Sequence, residues 1–315
     1  MRQFTITVMM YHYVRDPGDT ADHNSGIPGL PVSSFEAQLD TLAANFEIIS
    51  WSELRAHLSG SRSLPSQACL LTFDDGVRDH YLNVYPALSA RRLSGLFFAL
   101  ARRPGMGLTL GHKIHFLIAR LGFNILRAAF CDRLDPAQQV QFDKAGARYR
   151  SLQRPVSASG VIDEFKCVLQ RELSDIAEPV LSQLVEEYVG PEAEIAREFF
   201  LNGAQILEMA AGGMHFGGHS QSHPWFDWID DQRQAQEIAA SSHWLSTIEE
   251  GPWSFAYPYG GLDARSPALL RENGFIGAFT TLPQATHTDT LQIGRYDGES
   301  FRPEMIVSDA PGGSR

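Results

Sequence analysis

The chain has little with which to staple itself together or to enter a membrane. Among its 315 residues are three cysteines, Cys69, Cys131 and Cys167, an odd and widely spaced set with no Cys-x-x-Cys pair. That argues against a disulfide framework. No apolar run approaches the ~20 residues that a membrane helix needs. Met1 to Met10 has one basic residue and an apolar stretch broken by Thr5 and Thr7, so it does not read as an export signal. The expectation is a soluble, cytoplasmic protein with no membrane insertion. Positive charge is also scarce. The 26 Lys and Arg against 37 Asp and Glu give a formal charge of −11, without the basic footprint of a nucleic-acid binder. Repeats and low-complexity segments are missing too. What remains is an ordinary globular composition, 43% hydrophobic and 20% charged, long enough for one large or two modest domains.

The sharpest feature is an apolar run, Ala68 to Phe73, that ends in Asp74-Asp75-Gly76. It reads as a buried strand breaking into a glycine turn. Strand side chains alternate in direction, yet at the strand end both acids can be aimed at one cleft. Adjacent carboxylates repel unless a cation or a shared proton offsets them. Taken alone, a solvated Asp-Asp-Gly turn explains the tripeptide as well. Far downstream, His219-Ser220-Gln221-Ser222-His223 follows a short apolar run, Met214 to Phe216, and Gly217-Gly218. If this segment is helical, the two histidines at i and i+4 share a face. With Asp75 they make one carboxylate and two imidazoles, a donor set for zinc or a related first-row ion that leaves positions for water and substrate. By itself His-x-x-x-His fits two unrelated surface histidines equally well.

Around these motifs, strands and helices alternate, which points to a parallel α/β architecture. Strands are expected over 4–10, 46–49, 68–73, 95–100, 214–216, 253–256, 275–281 and 291–293. Helices are expected over 33–46, with Ser33 and Glu36 as a capping box, then from Ser50 to Leu58, over 84–91, 230–248 and 265–273. In such folds sites gather at the carboxyl ends of strands, where the Asp pair and the strand-one residue His12 both fall. Residues 15–31 read as a loop and 311–315 as a frayed tail. The middle of the chain changes character. Helices are expected over 114–127, 161–173 and 178–189, with no strand-like alternation between them.

Thr72-Phe73-Asp74-Asp75-Gly76, then His219-Ser220-Gln221-Ser222-His223, then Phe255-Ala256-Tyr257-Pro258-Tyr259-Gly260 resemble, in that order, the polysaccharide deacetylase family (NodB homology, carbohydrate esterase 4). The third motif matches in its Pro-Tyr-Gly part only. The resemblance covers roughly residues 1–102 and 203–300. It implies an α/β fold, a distorted (β/α) barrel over 1–102 and 203–315. A large helical insertion at 103–202 interrupts it, serving either as a dimerising appendage or as a cap that selects substrate.

The resemblance also implies a chemistry. The chain would be a metal-dependent hydrolase that removes an N-acetyl or other small acyl group from an amino sugar or glycan intermediate. One divalent ion, zinc before Co2+, Ni2+ or Mn2+, would be held by Asp75, His219 and His223, lowering the pKa of a bound water. Asp74 would be the general base. The Tyr259 backbone N–H would donate to the oxyanion, with Tyr257 as a second substrate contact. Two departures follow. The family often carries an Arg where Ala256 stands, and Arg295 is the candidate replacement. The family's late Leu-x-His is missing, so His12, and after it His287, are candidates for the general acid. His112, Lys113 and His115 open the insertion, as helix-surface residues or as substrate contacts. A deformylase, an O-deacetylase or a catalytically silent glycan-binding protein remain alternatives. A homo-oligomer through the insertion and a preference for small or activated amino sugars over long polymers are further expectations.

Overall fold

The computed structural model describes residues 3–16, 26–152 and 160–301. These form two compact units, one of residues 3–16, 28–102 and 200–301, the other of 26–27, 103–152 and 160–199. The expected loop at 15–31 is described only in part, and the expected tail at 311–315 lies outside the described residues.

Among its described residues the first unit holds ten strands: β1 (Phe4–Thr5), β2 (Thr7–Tyr11), β3 (Glu47–Ile49), β4 (Ala68–Phe73), β5 (Leu96–Ala99), β6 (His215–Gly218), β7 (Trp253–Ala256), β8 (Phe275–Phe279), β9 (Thr286–His287) and β10 (Tyr296–Asp297). One curled sheet runs in the order β10-β2-β4-β5-β6-β7-β8, and β3 joins the first half of β4. Every pairing in this sheet is parallel. A separate antiparallel ribbon joins β1 to β9. This parallel α/β sheet agrees with the distorted (β/α) barrel expected above.

Both faces of the sheet are buried, as parallel sheets require. Along β4, Cys69, Leu71 and Phe73 pack with Phe35, Leu39 and Leu42 of the helix Val32–Asn45, while Ala68 and Leu70 face a second cluster with Val8, Phe98, Phe279 and Ile293. Asp74 continues the parity of Leu70 and Thr72, so the strand itself aims it at the second cluster's side of the sheet.

Several local expectations change. The helix at Val32 has no Ser33 cap. Its first N–H instead donates 3.0 Å to Asp16 Oδ1, a cap supplied from another loop. Strand one breaks at Ile6, because β1 leaves the main sheet to pair with β9. Residues 291–293 form only a single bridge, Phe279 to Ile293. The Ser50–Glu53 capping box forms as expected.

The second unit is helical among its described residues, with Leu110–Leu121, Phe123–Cys131, Pro136–Leu152, Gly160–Cys167, Ser174–Tyr188 and Glu192–Phe199. The expected single helix over 114–127 is two, bent by 116° at Gly122, whose φ of 77° a side chain would resist. The rings of Phe130, Phe142 and Phe165 meet at 5.6 to 6.1 Å in its core. His112 and Lys113 are not surface residues but buried inside this unit. Lys113 Nζ donates to Glu178 and, at 2.7 Å, to Ser182 Oγ, and lies 3.2 Å from Glu192. Lys113 therefore neutralises a buried carboxylate within its own unit. Among the described residues, no single helix is long and apolar enough to cross a membrane.

Candidate active site

Three loops at the carboxyl ends of β4, β6 and β7 converge in the first unit. Five non-glycine described residues have positive φ, and four of them lie on these loops: Asp75 (74°), Ser220 (64°), His223 (62°) and Tyr259 (58°). Each such conformation costs on the order of 1–3 kcal/mol, a strain that collects where side chains must be aimed. At Asp75 the left-handed turn breaks the strand alternation, which would have sent its carboxylate away from Asp74. Gly76 completes the turn with φ +65°, and a Cβ there would stand 2.7 Å from Ala99 Cβ, so glycine is required.

The expected helix between His219 and His223 does not form. The segment is a loop, and the turns at Ser220 and His223 bring the imidazoles together. His219 Nε2 and His223 Nε2 lie 3.1 Å apart, and Asp75 Oδ1 lies 3.4 and 3.3 Å from them. His219 Nδ1 stands 2.8 Å from the Ala256 carbonyl. A carbonyl only accepts, so Nδ1 carries the proton and Nε2 presents its lone pair to the cluster, the usual arrangement for a metal-ligating histidine. Donor atoms 3.1, 3.3 and 3.4 Å apart leave a point about 1.9 Å from all three, close to the ~2.0–2.2 Å of zinc–ligand bonds, so Asp75, His219 and His223 would fit such an ion. Among the described residues, this is the one cluster of three or more such donors able to hold a metal ion.

Asp74 stays out of that triangle. Arg295 is fully buried and grips it with two 2.7 Å bonds, Nη1 to Oδ1 and Nη2 to Oδ2. Arg295 also donates to the Thr280 carbonyl (2.9 Å) and to Thr72 Oγ1 (3.2 Å), and Thr72 donates on to the Met9 carbonyl. Burial alone would push the Asp74 carboxyl up. The Arg295 charge, His219, the Arg295 hydrogen bonds and His12 together outweigh it and hold Asp74 below the usual carboxylate range. His219 is shifted the other way. Burial opposes its charged form, but the bond to Asp75 and the charges of Asp74 and Asp75 raise it.

His12 lies at the rim, its side chain 39% exposed and its Nε2 3.9 Å from Asp74 Oδ2. His287 is elsewhere. It sits on β9 opposite Phe4, beyond the amino-terminal end of β2, so it cannot serve as the acid. Tyr257 is also displaced from its expected role. Its ring is buried against Phe226 and Phe255, and its hydroxyl donates 3.1 Å to the Leu291 carbonyl. Tyr259 does border the cluster. Its ring meets His223 edge-on at 4.4 Å and stacks on Trp225 at 4.6 Å.

The sequence reading missed Trp225, Tyr13, Arg15 and Asp79. Burial and then the Asp75 charge push the Tyr13 hydroxyl well above its ordinary value. Tyr13 lies under the Arg15 guanidinium, which pairs with Asp79 at 2.6 Å. Val-Arg-Asp after Gly76 and Tyr-His-Tyr-Val-Arg after strand one were the available signals, since both follow a strand's carboxyl end.

A family model described as polysaccharide deacetylase matches residues 179–277, a stretch that carries the histidine loop and the Tyr259 loop. The putative polysaccharide deacetylase YxkH of Bacillus subtilis (strain 168) is 28% identical over 112 residues, 35% of this chain and 35% of that protein. The match thus spans about a third of that relative's length. The fold is also that of solved deacetylases. The Streptococcus pyogenes deacetylase PplD in complex with acetate superposes with a TM-score of 0.58 at 16% identity, over 98% of this chain and all of that one. IcaB from Ammonifex degensii gives 0.56 at 19% identity, over 95% and 93%. The de-N-acetylase of Aggregatibacter actinomycetemcomitans gives 0.59 at 15%, over 98% and 100%. The chain is thus similar to polysaccharide deacetylases over residues 179–277 and in its fold. In the third motif Ala256 stands beside His219, where its backbone carbonyl orients the imidazole and its buried side chain brings no charge. The cation that faces Asp74 arrives from residue 295, in the short stretch just before β10.

Proposed function

We propose that this chain is a metal-dependent deacetylase that removes an N-acetyl, or another small acyl, group from an amino sugar or glycan intermediate. The observation that carries the reading is the pairing of two unlike carboxylates. Asp75 shares a 3.1–3.4 Å triangle with two imidazole nitrogens, and Asp74 beside it is held ionised by Arg295. Asp75, His219 and His223 would hold a divalent ion, zinc by the chemistry of the donor set. When bound, the ion supplies Lewis acidity, lowering the pKa of a coordinated water and polarising the acyl oxygen.

The remaining roles fall to the chain's own groups. Asp74 accepts the proton of the attacking water, and Arg295 fixes its plane so that no rotation is needed before transfer. The Tyr259 backbone N–H donates to the oxygen of the tetrahedral adduct. His12, at the rim, delivers a proton to the departing amine nitrogen. The Tyr259–Trp225 stack offers an aromatic wall on the His223 side.

The helical segment is inserted in the chain between Asp75 and His219. A preference for a small or activated amino-sugar derivative over a long polymer is part of this reading. Acetate release from N-acetylated sugar derivatives, before and after chelation and with zinc restored, tests the reaction. Activity that survives complete ion removal counts against the reading. Acyl release only from ester-linked acetate reassigns it to O-deacetylation.

A further inference from the structure

Glu237 lies outside the cleft, on the helix Asp231–Leu245, and is buried. Both of its carboxylate oxygens are spent on the histidine loop and its neighbour. Oε2 accepts the Gln221 N–H at 2.7 Å and the Ser222 N–H at 2.9 Å. Oε1 accepts Ser222 Oγ at 2.5 Å and Arg233 Nε at 3.1 Å. Residues 221 and 222 are the links between the two histidine ligands, so this carboxylate grips the backbone that spaces them.

That loop has reason to need a grip. Ser220 and His223 both stand in the left-handed region, each at a cost of roughly 1–3 kcal/mol, and neither is a glycine. Within the loop, the His223 N–H donates 3.0 Å to Ser220 Oγ. Charge-assisted bonds to two successive backbone N–H groups are about twice as strong as neutral ones. The helix can approach because β6 ends in glycine. A Cβ on Gly218 would stand 2.9 Å from Ser241 Cβ, one helical turn beyond Glu237. The other side of the loop is tied to the end of β5, where Gln221 Nε2 donates 3.1 Å to the Ala101 carbonyl.

We infer that Glu237 is a positioning residue for the metal centre, holding Gln221 and Ser222 so that His219 and His223 converge on one ion. It is not itself a ligand, since its contacts are to the Gln221 and Ser222 backbone, the Ser222 hydroxyl and Arg233, not to the donor triangle. This rests on the metal reading above. A carboxylate that orients ligands from behind typically sets ion affinity by about 10–100-fold when lost.

The test is zinc affinity of the full chain, measured by competition with a chromogenic chelator, together with the visible spectrum of the Co2+-loaded protein and the melting temperature of the ion-free form. E237A is expected to bind zinc about 10–100-fold more weakly and to show an altered Co2+ spectrum. E237D keeps the charge, shortens the reach and serves if E237A does not fold; its zinc affinity is also expected to fall. R233A removes a 53% exposed partner and is expected to leave affinity near wild type. Wild-type affinity and an unchanged Co2+ spectrum in a folded E237A or E237D overturn the inference, whatever happens to the melting temperature. A wild-type chain that binds no ion instead overturns the metal reading itself.

Discussion

Arg295 and Asp74 stand 221 positions apart in the chain, yet they meet in a two-pronged pair at 2.7 Å on both arms, out of contact with solvent. The pair does two jobs. It keeps a buried carboxylate ionised, and it fixes the plane of that carboxylate against the neighbouring donor triangle.

Removing one side of a buried pair leaves the other charge uncompensated, at a cost of about 3–5 kcal/mol. R295A is therefore expected to lower thermal stability markedly and to lose most turnover while keeping its ion. R295K keeps the charge but not the fork, so it should recover stability more than kcat. Equal kcat in R295K and wild type would show that orientation of Asp74 is unimportant. Melting temperature, kcat and metal content of the two variants decide the matter.

Asp74→Asn preserves shape and removes the proton acceptor. The variant is expected to fold and to retain its ion, but to lose activity by ~10²–10⁴, the usual contribution of a general base. Single-turnover rates with metal content measured on the same sample check this. A loss under about tenfold would assign the proton elsewhere.

The fold was legible in the sequence where one period dominated. The buried run Ala68 to Phe73 and its terminal acids announced a strand end at a site, and β4 places Asp74 by simple alternation. The histidine loop was harder. Spacing of i and i+4 cannot distinguish a helix from two left-handed turns, although Pro224 already biased His223 away from helix. Pro136–Leu152 went unseen because its apolar stripe is thin. Its start signal was present, since Asp135 Oδ1 accepts the N–H groups of Ala137 and Gln138 while Gln138 reaches back to the Asp135 N–H. Arg295 was legible only as a candidate, because nothing near it in sequence names its partner. Glu237 was invisible, because nothing near it in sequence ties it to the histidine loop.

His12→Ala is expected to keep the ion and slow turnover as the proton donor disappears. An unchanged kcat, with metal content measured on the same sample, would move the acid role to solvent, since His287 lies beyond the amino-terminal end of β2.

Stability should also depend on pH through His80. Burial pushes this imidazole down to about 4, while its Nε2 donates to the His12 carbonyl. The unfolded chain binds the proton near 6.5, so stability is full above that value and falls as pH drops from about 6.5 towards 4, by up to ~3 kcal/mol. Urea unfolding between pH 7.5 and 4.5 should show the loss, and His80→Gln should flatten it. An identical slope in wild type and variant would remove His80 as the cause.

The most direct measurement is the stoichiometry of the bound ion. Wild type is expected to hold one zinc per chain after extensive dialysis, and Asp75→Ala, His219→Ala and the His219/His223 double alanine variant to hold none while remaining folded by circular dichroism. A full equivalent of zinc retained by the folded double variant would contradict a metal centre on Asp75, His219 and His223.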